Sequence, residues 1–513
     1  MYYPLTVRDF LDRAEQVYPD RVAVVDEPDQ PAPSLGSITF REFAGLARAH
    51  AARLDQLGVP VGGRVAVVSQ NSARFLAMLF GGPGWGRVLV PVNFRLAPAE
   101  VVYIIEHSGA EVVYVDPANE RIVEAIRAIE GVRYCFMLGH DENLFAEDAE
   151  PKEWETPDEG ATATINYTSG TTARPKGVQL THRNLWLNTT IMGLQLGVND
   201  RDAYLHTLPM FHANGWGMPF VLAACGVPQI VLRQIDGAEI LRRVKQHRIT
   251  LMCAAPTVVN AALDAGTTWV GEIPGRGLTR ILVAGAPPPT RTIQRVLDEL
   301  GWEFCQLYGL TETSPIVTMN RMRAEWDELS SADRAKRLSR AGVPALGVRL
   351  SIDVDGEVIT ASNHNLDGYW NQPEETHKAQ AGNWFHTGDG GRIDEEGYLI
   401  ISDRKKDVII SGGENVSSIE VEDALTTHPA VREAAVIGVP DEAWGELVTG
   451  IVVSDGSPVD EAELIAHCKS LLAGYKCPKQ IEFVEELPRT ATGKLQKFKI
   501  REPYWQGLER QVN

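Results

Sequence analysis

Short runs of β-branched residues alternate with amphipathic helical segments along most of this chain, and that alternation calls for parallel sheets covered by helices. Arg64-Val65-Ala66-Val67-Val68, Ala110-Glu111-Val112-Val113-Tyr114-Val115 and Ile249-Thr250-Leu251-Met252 read as strands, and a helical pattern starts at Val7. Another unit runs from the strand Arg280-Ile281-Leu282-Val283-Ala284 through the shaped turn Gly285-Ala286-Pro287-Pro288-Pro289 into a helix from Arg291 to Leu300. The longest apolar run, Trp216 to Leu232, is broken by Pro219, Gly226, Pro228 and Gln229. It therefore reads as a buried helix followed by a strand, with no transmembrane segment.

After Leu350 the pattern turns to short strands with hairpin signals at Asp355-Gly356 and Glu396-Gly397, which predicts a small β-barrel beside two parallel-sheet α/β subdomains. The charged segment 403–407 between two strand-like runs marks a hinge, so 1–402 forms a large domain and 408–513 a smaller α+β domain. In the latter, Ser417 and Glu420 predict a capping box opening a helix through Leu425. Val431 to Val439 and Glu446 to Val453 read as paired strands.

At 513 residues, with 44% hydrophobic and 23% charged residues, the chain is long enough for two or more globular cores. Its 49 basic against 68 acidic residues give a net charge of −19, which argues against nucleic acid or an anionic membrane as partner. Cys135, Cys225, Cys253, Cys305, Cys468 and Cys477 are scattered without CxxC pairing, as expected for reduced thiols. No signal or transit pattern stands at Met1-Tyr2-Tyr3-Pro4, and the expected location is the cytoplasm.

The stretch Tyr167 to Asn184, YTSGTTARPKGVQLTHRN, carries the chemistry. Thr168, Ser169, Gly170, Thr171 and Thr172 supply hydroxyls and backbone N–H groups suited to phosphate oxygens, and Lys176 adds a point charge. Thr164 to Tyr167 reads as a strand and Asn184 opens a helical pattern, so the loop is expected at a strand end, where α/β sheets bind ligands. It is not a Walker loop, because Pro175 replaces the second glycine and Gly177 stands where Ser or Thr would ligate Mg²⁺. Taken alone, such a stretch reads equally as a surface turn.

YTSGTTARPKG, PMFHANGWG at 209–217, QLYGLTET at 306–313, WFHTGDGG at 384–391, DRKKDVIISGGENVSSIEVE at 403–422 and PRTATGKLQK at 488–497 follow one another along the chain. Together they resemble the acyl-CoA synthetases of the adenylate-forming, AMP-binding superfamily. The resemblance implies a ligase that joins an apolar carboxylic acid (fatty, medium- or long-chain, or bulky) to AMP using ATP and Mg²⁺. The acyl group then passes to coenzyme A. It implies that Lys494 bridges carboxylate and α-phosphate, and that Glu312 holds Mg²⁺, a hard ion preferring carboxylate oxygen. Tyr308 would stack on adenine opposite Gly285, Ala286 and Pro287, with Gly309 and Thr311 beside the nucleotide. Asp389 would accept from the ribose hydroxyls and Arg404 would contact ribose or phosphates. His212 and Trp216 match residues at an acyl tunnel, the indole as its gate. Lys406 matches the pivot of the C-terminal domain, and Ser411, Gly412, Gly413 and Glu414 would line the pantetheine tunnel after rotation. Each of these positions also has an ordinary structural reading, as core, turn or surface charge.

Two departures stand out: Ala173 replaces a loop glycine, and the segment between Glu357 and Asp367 looks one hairpin short. They keep a second class open, an enzyme specialised to one half-reaction, working with a carrier protein or a partner adenylating enzyme. A non-catalytic nucleotide-binding relative and a luciferase-like oxygenase are more distant alternatives. The resemblance also points to a homodimer.

Overall fold

The structure is a computed structural model that describes residues 1–140, 144–168, 174–404, 407–411, 414–441, 444–490 and 494–506, with 403 and 404 described in backbone only. The expected alternation appears as two large sheets. One has seven strands in the order Gly368–Tyr369, Lys176–Thr181, Thr162–Thr168, Val88–Val92, Arg64–Val68, Val112–Val115 and Tyr134–Met137. Its central strands are parallel and buried on both faces, which is why they read as unbroken apolar runs. The other has nine strands, with Tyr204–His206, Leu251–Ala254, Arg280–Val283 and Glu303–Gly309 parallel at its centre.

The turn-rich region after Leu350 is a four-stranded antiparallel sheet, ordered Arg349–Ile352, Glu357–Ala361, Phe385–Ile393 and Leu399–Arg404. A bridge between Gly342 and Leu399 joins it to the chain leaving the nine-stranded sheet. The C-terminal residues form a separate five-stranded sheet in which Val431–Asp441 pairs antiparallel with Gly445–Ser454, while Gln480–Phe483 adds in parallel.

Three local expectations change. The strand foreseen at Ile249 begins two residues later, as Leu251–Ala254. Tyr167 to Asn184 does not pass from strand to helix directly, because Lys176–Thr181 folds back antiparallel on Thr162–Thr168 before the helix His182–Leu196 begins. Thr181 and Asn184 cap that helix reciprocally, at 3.1 Å and 2.9 Å. At Ser417 the predicted capping box does not form. The Ser417 hydroxyl donates instead to the Ser402 carbonyl at 2.7 Å, and Glu420 pairs with Lys476. All six cysteines are free thiols, Cys253, Cys305, Cys468 and Cys477 being buried. Among the described residues no helix is long and apolar enough to cross a membrane.

Candidate active site

The expected phosphate loop connects the ends of a hairpin. Thr168 pairs with Lys176 as its last rung, so the connection leaves at the carboxyl edge of the seven-stranded sheet. Ser169, Gly170, Thr171, Thr172 and the departure at Ala173 lie outside the described residues. Lys176 forms a 2.5 Å ion pair with Glu375 and stands 5.0 Å from the Tyr369 ring centroid. Hydrogen bonding from Lys176, then from Lys378, lowers the Glu375 carboxyl to about 2. The Tyr369 hydroxyl donates to Glu312 Oε1 at 3.1 Å, so Lys176, Tyr369 and Glu312 lie in one chain of contacts.

Glu312 is buried in a single turn, Thr311–Thr313, and its carbonyl accepts from Leu366 N–H at 2.7 Å. That bond anchors the far end of the short segment after Glu357, which runs as strand to Ala361 and is then clamped by His364. The His364 carbonyl accepts from Ser314 Oγ at 2.6 Å and its ring contacts the Ile316 carbonyl at 2.8 Å. This stretch is therefore a compact support under the Glu312 turn. Gly309, three residues earlier, permits close approach: a Cβ there would lie 1.6 Å from the Pro315 carbonyl oxygen.

Tyr308, near the end of Glu303–Gly309, donates its hydroxyl to Asp389 Oδ2 at 2.8 Å. Asp389 sits on a β-bulge. Glu357 pairs with Gly390 and Ile359 with His386, so the second strand carries extra residues, and the kink re-aims Asp389. Glu357 Oε1 accepts from Gly388 N–H at 2.7 Å and the Val358 carbonyl accepts from Thr387 Oγ1 at 2.7 Å, which holds the bulge open. Gly388 has φ +74°, the left-handed region that favours glycine. Arg404 lies opposite Asp389 in the strand register, its side chain outside the described residues.

Gly285 opens the turn after Arg280–Val283 with φ +95°, followed by Ala286 and Pro287. Lys494, from the C-terminal residues, lies across it: a Cβ on Gly285 would stand 3.6 Å from Lys494 Cε. The same lysine is felt at His212, a half-buried residue whose imidazole is pushed down to about 3 by burial first and by the Lys494 charge second. His212 is therefore neutral near pH 7.

Trp216 is 3% exposed. Ala213, Asn214, Gly215, Trp216 and Gly217 all have φ between 45° and 73°, a left-handed turn that disfavours its non-glycine residues by about 1–2 kcal/mol each. A buried triangle pins the turn: Asn214 Nδ2 donates to Thr164 Oγ1 at 2.9 Å, Thr164 to Asn166 Oδ1 at 2.8 Å, and Asn166 Nδ2 to Asn214 Oδ1 at 3.1 Å. Asn188 adds a 3.4 Å bond to the Trp216 carbonyl. Sequence reasoning missed Asn166, Asn214, Glu357, Tyr369 and Glu375. The signal available for Asn166 was a polar residue inside an otherwise buried strand.

The structure thus brings Thr168, Lys176, Glu312, Tyr308, Asp389, Gly285, His212, Trp216 and Lys494 to neighbouring strand ends and turns. Ser411 and Glu414 pair across a hairpin of the C-terminal sheet, away from these contacts. Lys406, Gly412 and Gly413 lie outside the described residues.

The AMP-binding enzyme family profile matches residues 11–370, and the AMP-binding enzyme C-terminal domain profile matches 420–494. The chain belongs to the AMP-binding enzyme family. It is 36% identical over 539 residues to a 2-methylpropanoate–CoA ligase of Humulus lupulus, covering 97% of this chain and 95% of the relative. It is 36% identical over 530 residues to 4-hydroxybutyrate–CoA ligase 2 of Metallosphaera sedula, covering 98% and 94%. Among solved structures, o-succinylbenzoate coenzyme A synthetase from Bacillus subtilis, in complex with ATP and magnesium ion, matches with TM-score 0.80 and 28% identity. That match covers 95% of this chain and 98% of the other. The family uses ATP, Mg²⁺ and coenzyme A, and this member is an AMP-forming acid–CoA ligase.

Proposed function

We propose that these residues act as an adenylation site that Lys494 completes, and the observation carrying this reading is Lys494 lying across Gly285 beside His212. In the first half-reaction a carboxylate oxygen attacks the α-phosphorus of ATP and the bond to pyrophosphate breaks. Two anions must meet, so positive charge and placement matter more than a base. Lys494 supplies that charge where carboxylate and α-phosphate meet. Tyr308 and the Gly285 turn hold adenine from two sides, and Asp389, oriented by the Tyr308 hydroxyl, accepts from the ribose. Lys176 exchanges its bond to Glu375 for a phosphate oxygen. Glu312 is a hard carboxylate suited to Mg²⁺, and the ion when bound neutralises phosphate charge. His212, neutral near pH 7, can donate a hydrogen bond to the substrate carboxylate without adding a competing cation. In the second half-reaction the coenzyme A sulfur attacks the acyl carbon, the thiol proton is released and AMP leaves.

For that step the C-terminal domain turns about Lys406 within the hinge 403–407, moving 408–513 relative to 1–402 and exchanging Lys494 for Ser411 to Glu414. The free thiols are in keeping with a cytoplasmic location. On the acid side, Trp216, four residues after His212, belongs to one buried apolar cluster with Leu282, Leu307 and Ile316, and a bulky indole there would limit the length of an acyl chain. We therefore assign a short or compact apolar acid rather than a long fatty chain, a size class that includes the 2-methylpropanoate of the Humulus ligase's name. The test is pyrophosphate exchange and thioester formation over acids of graded length, with native protein and Trp216→Ala. Native protein should prefer short acids and the variant should accept chains several carbons longer. Preference for long chains in the native protein would overturn the size assignment, and absence of exchange with every acid would overturn the adenylation reading.

A further inference from the structure

The helix Thr290–Arg295 begins where the Gly285 turn ends, and Pro289 at its N-cap has no side-chain acceptor to offer. The cap comes from the C-terminal domain. Asp423, on the helix Ser418–Thr426, accepts from Thr290 N–H at 2.8 Å with Oδ1 and from Thr290 Oγ1 at 3.1 Å with Oδ2. The next residue returns the interaction: Arg291 donates to the His428 carbonyl at 2.8 Å, and to those of Pro429 and Thr426 at 3.3 Å and 3.4 Å, just past the end of the Asp423 helix. Asp423 thus satisfies the first N–H of the Thr290 helix, and Arg291 returns the contact to carbonyls at and just beyond the end of the Asp423 helix. Both halves are charge-assisted, and neither can persist if the C-terminal domain turns away.

We propose that Asp423 and Arg291 are positioning residues for adenylation, a reciprocal cap that seats the C-terminal domain so that Lys494 reaches the Gly285 turn. This rests on the adenylation reading of Lys494 given above. The cap touches no reacting atom. It links the pose of the C-terminal domain to the turn forming one wall of the nucleotide site, four residues from Gly285 to Pro289 along the chain. Its rupture is a prerequisite of the second half-reaction, so the strength of the cap divides time between the two chemistries.

Two measurements on the full chain decide this. The first needs no acid. Spin labels at Val270→Cys and Leu471→Cys, both exposed positions on opposite sides of the domain contact, report the distance across it once Cys135 and Cys225 are replaced by serine. The native interface should give one dominant distance, and Asp423→Ala and Arg291→Ala should each add a second population. The second uses 2-methylpropanoate with Mg-ATP for pyrophosphate exchange, and preformed 2-methylpropanoyl adenylate with coenzyme A for transfer. Each variant should lower exchange roughly tenfold, as loss of a charge-assisted hydrogen bond does, while transfer is unchanged or faster. The double variant should be little worse than the weaker single variant, since the two caps act together. An unchanged distance distribution, or equal loss of both half-reactions, would overturn the proposal. If native protein gives no exchange with 2-methylpropanoate or with any other acid of the graded series, the adenylation reading fails while the distance measurement still decides the cap.

Discussion

At the residue scale, the site is organised by side chains that hold other side chains. Tyr308 was expected to matter through its ring, yet its hydroxyl also fixes Asp389 at 2.8 Å. Tyr308→Phe keeps the stacking face and removes that bond, so KM for ATP should rise roughly five- to tenfold with kcat little changed, as read from steady-state kinetics. An unchanged KM would mean that Asp389 needs no partner to face the ribose. Lys176 follows the same logic, since its charge is held in place by Glu375. Lys176 stood out from its own surroundings, a stretch of glycine and hydroxyl residues, whereas Tyr308, Glu312 and Asp389 were marked only by the resemblance of their motifs to the adenylate-forming family. Tyr369 and Glu375 were not legible, because a tyrosine in a two-residue strand and a glutamate in a short helix have no local pattern that sets them apart. Only the fold brings them to Glu312 and Lys176.

At the element scale, the β-bulge at Thr387-Gly388-Asp389 does what a regular strand could not, and Glu357 occupies the gap it opens. Glu357→Ala should raise KM for ATP roughly tenfold, and Glu357→Gln, which keeps the Oε1 acceptor for Gly388 N–H, should restore most of it. Equal KM values for both variants would remove Glu357 from the account. The capping signal at Ser417 failed for a reason of the same scale. Its spacing to Glu420 was correct, but the Ser402 carbonyl offered the hydroxyl a tertiary acceptor that the local rule does not consider. The hairpin strand Lys176–Thr181 was hidden because Gly177 reads as loop, whereas it lies in the strand with a built Cβ 2.9 Å from Ile165. Parallel strands such as Val112–Val115, buried on both faces, were readable from sequence because burial leaves no alternation to decode.

At the scale of the whole molecule, stability should depend on buried histidines. Burial lowers His50, His182, His206 and His364 each to about 4. Their folded values lie below the unfolded value near 6.5, so their contribution is intact above about pH 6.5 and is lost as pH falls toward about 4. Each removes up to about 1.4 kcal/mol per pH unit in that window. The apparent thermal midpoint should therefore fall clearly between pH 7 and pH 5, before carboxylates such as Glu239 and Glu375, lowered to about 2, begin to contribute below their unfolded range. A flat midpoint over that interval would contradict the burial of these rings. A separate C-terminal sheet stands beyond the charged segment 403–407, and the contact that brings Lys494 to Gly285 joins positions 209 residues apart in the numbering, to which only the resemblance of the 488–497 motif pointed. That contact is also the most direct thing to test. Pyrophosphate exchange with 2-methylpropanoate and thioester formation from its preformed adenylate are measured separately in Lys494→Ala. Exchange should fall on the order of 10²- to 10³-fold while transfer stays within a few-fold of native; equal loss of both, or retention of exchange, would show that Lys494 does not serve adenylation in this way.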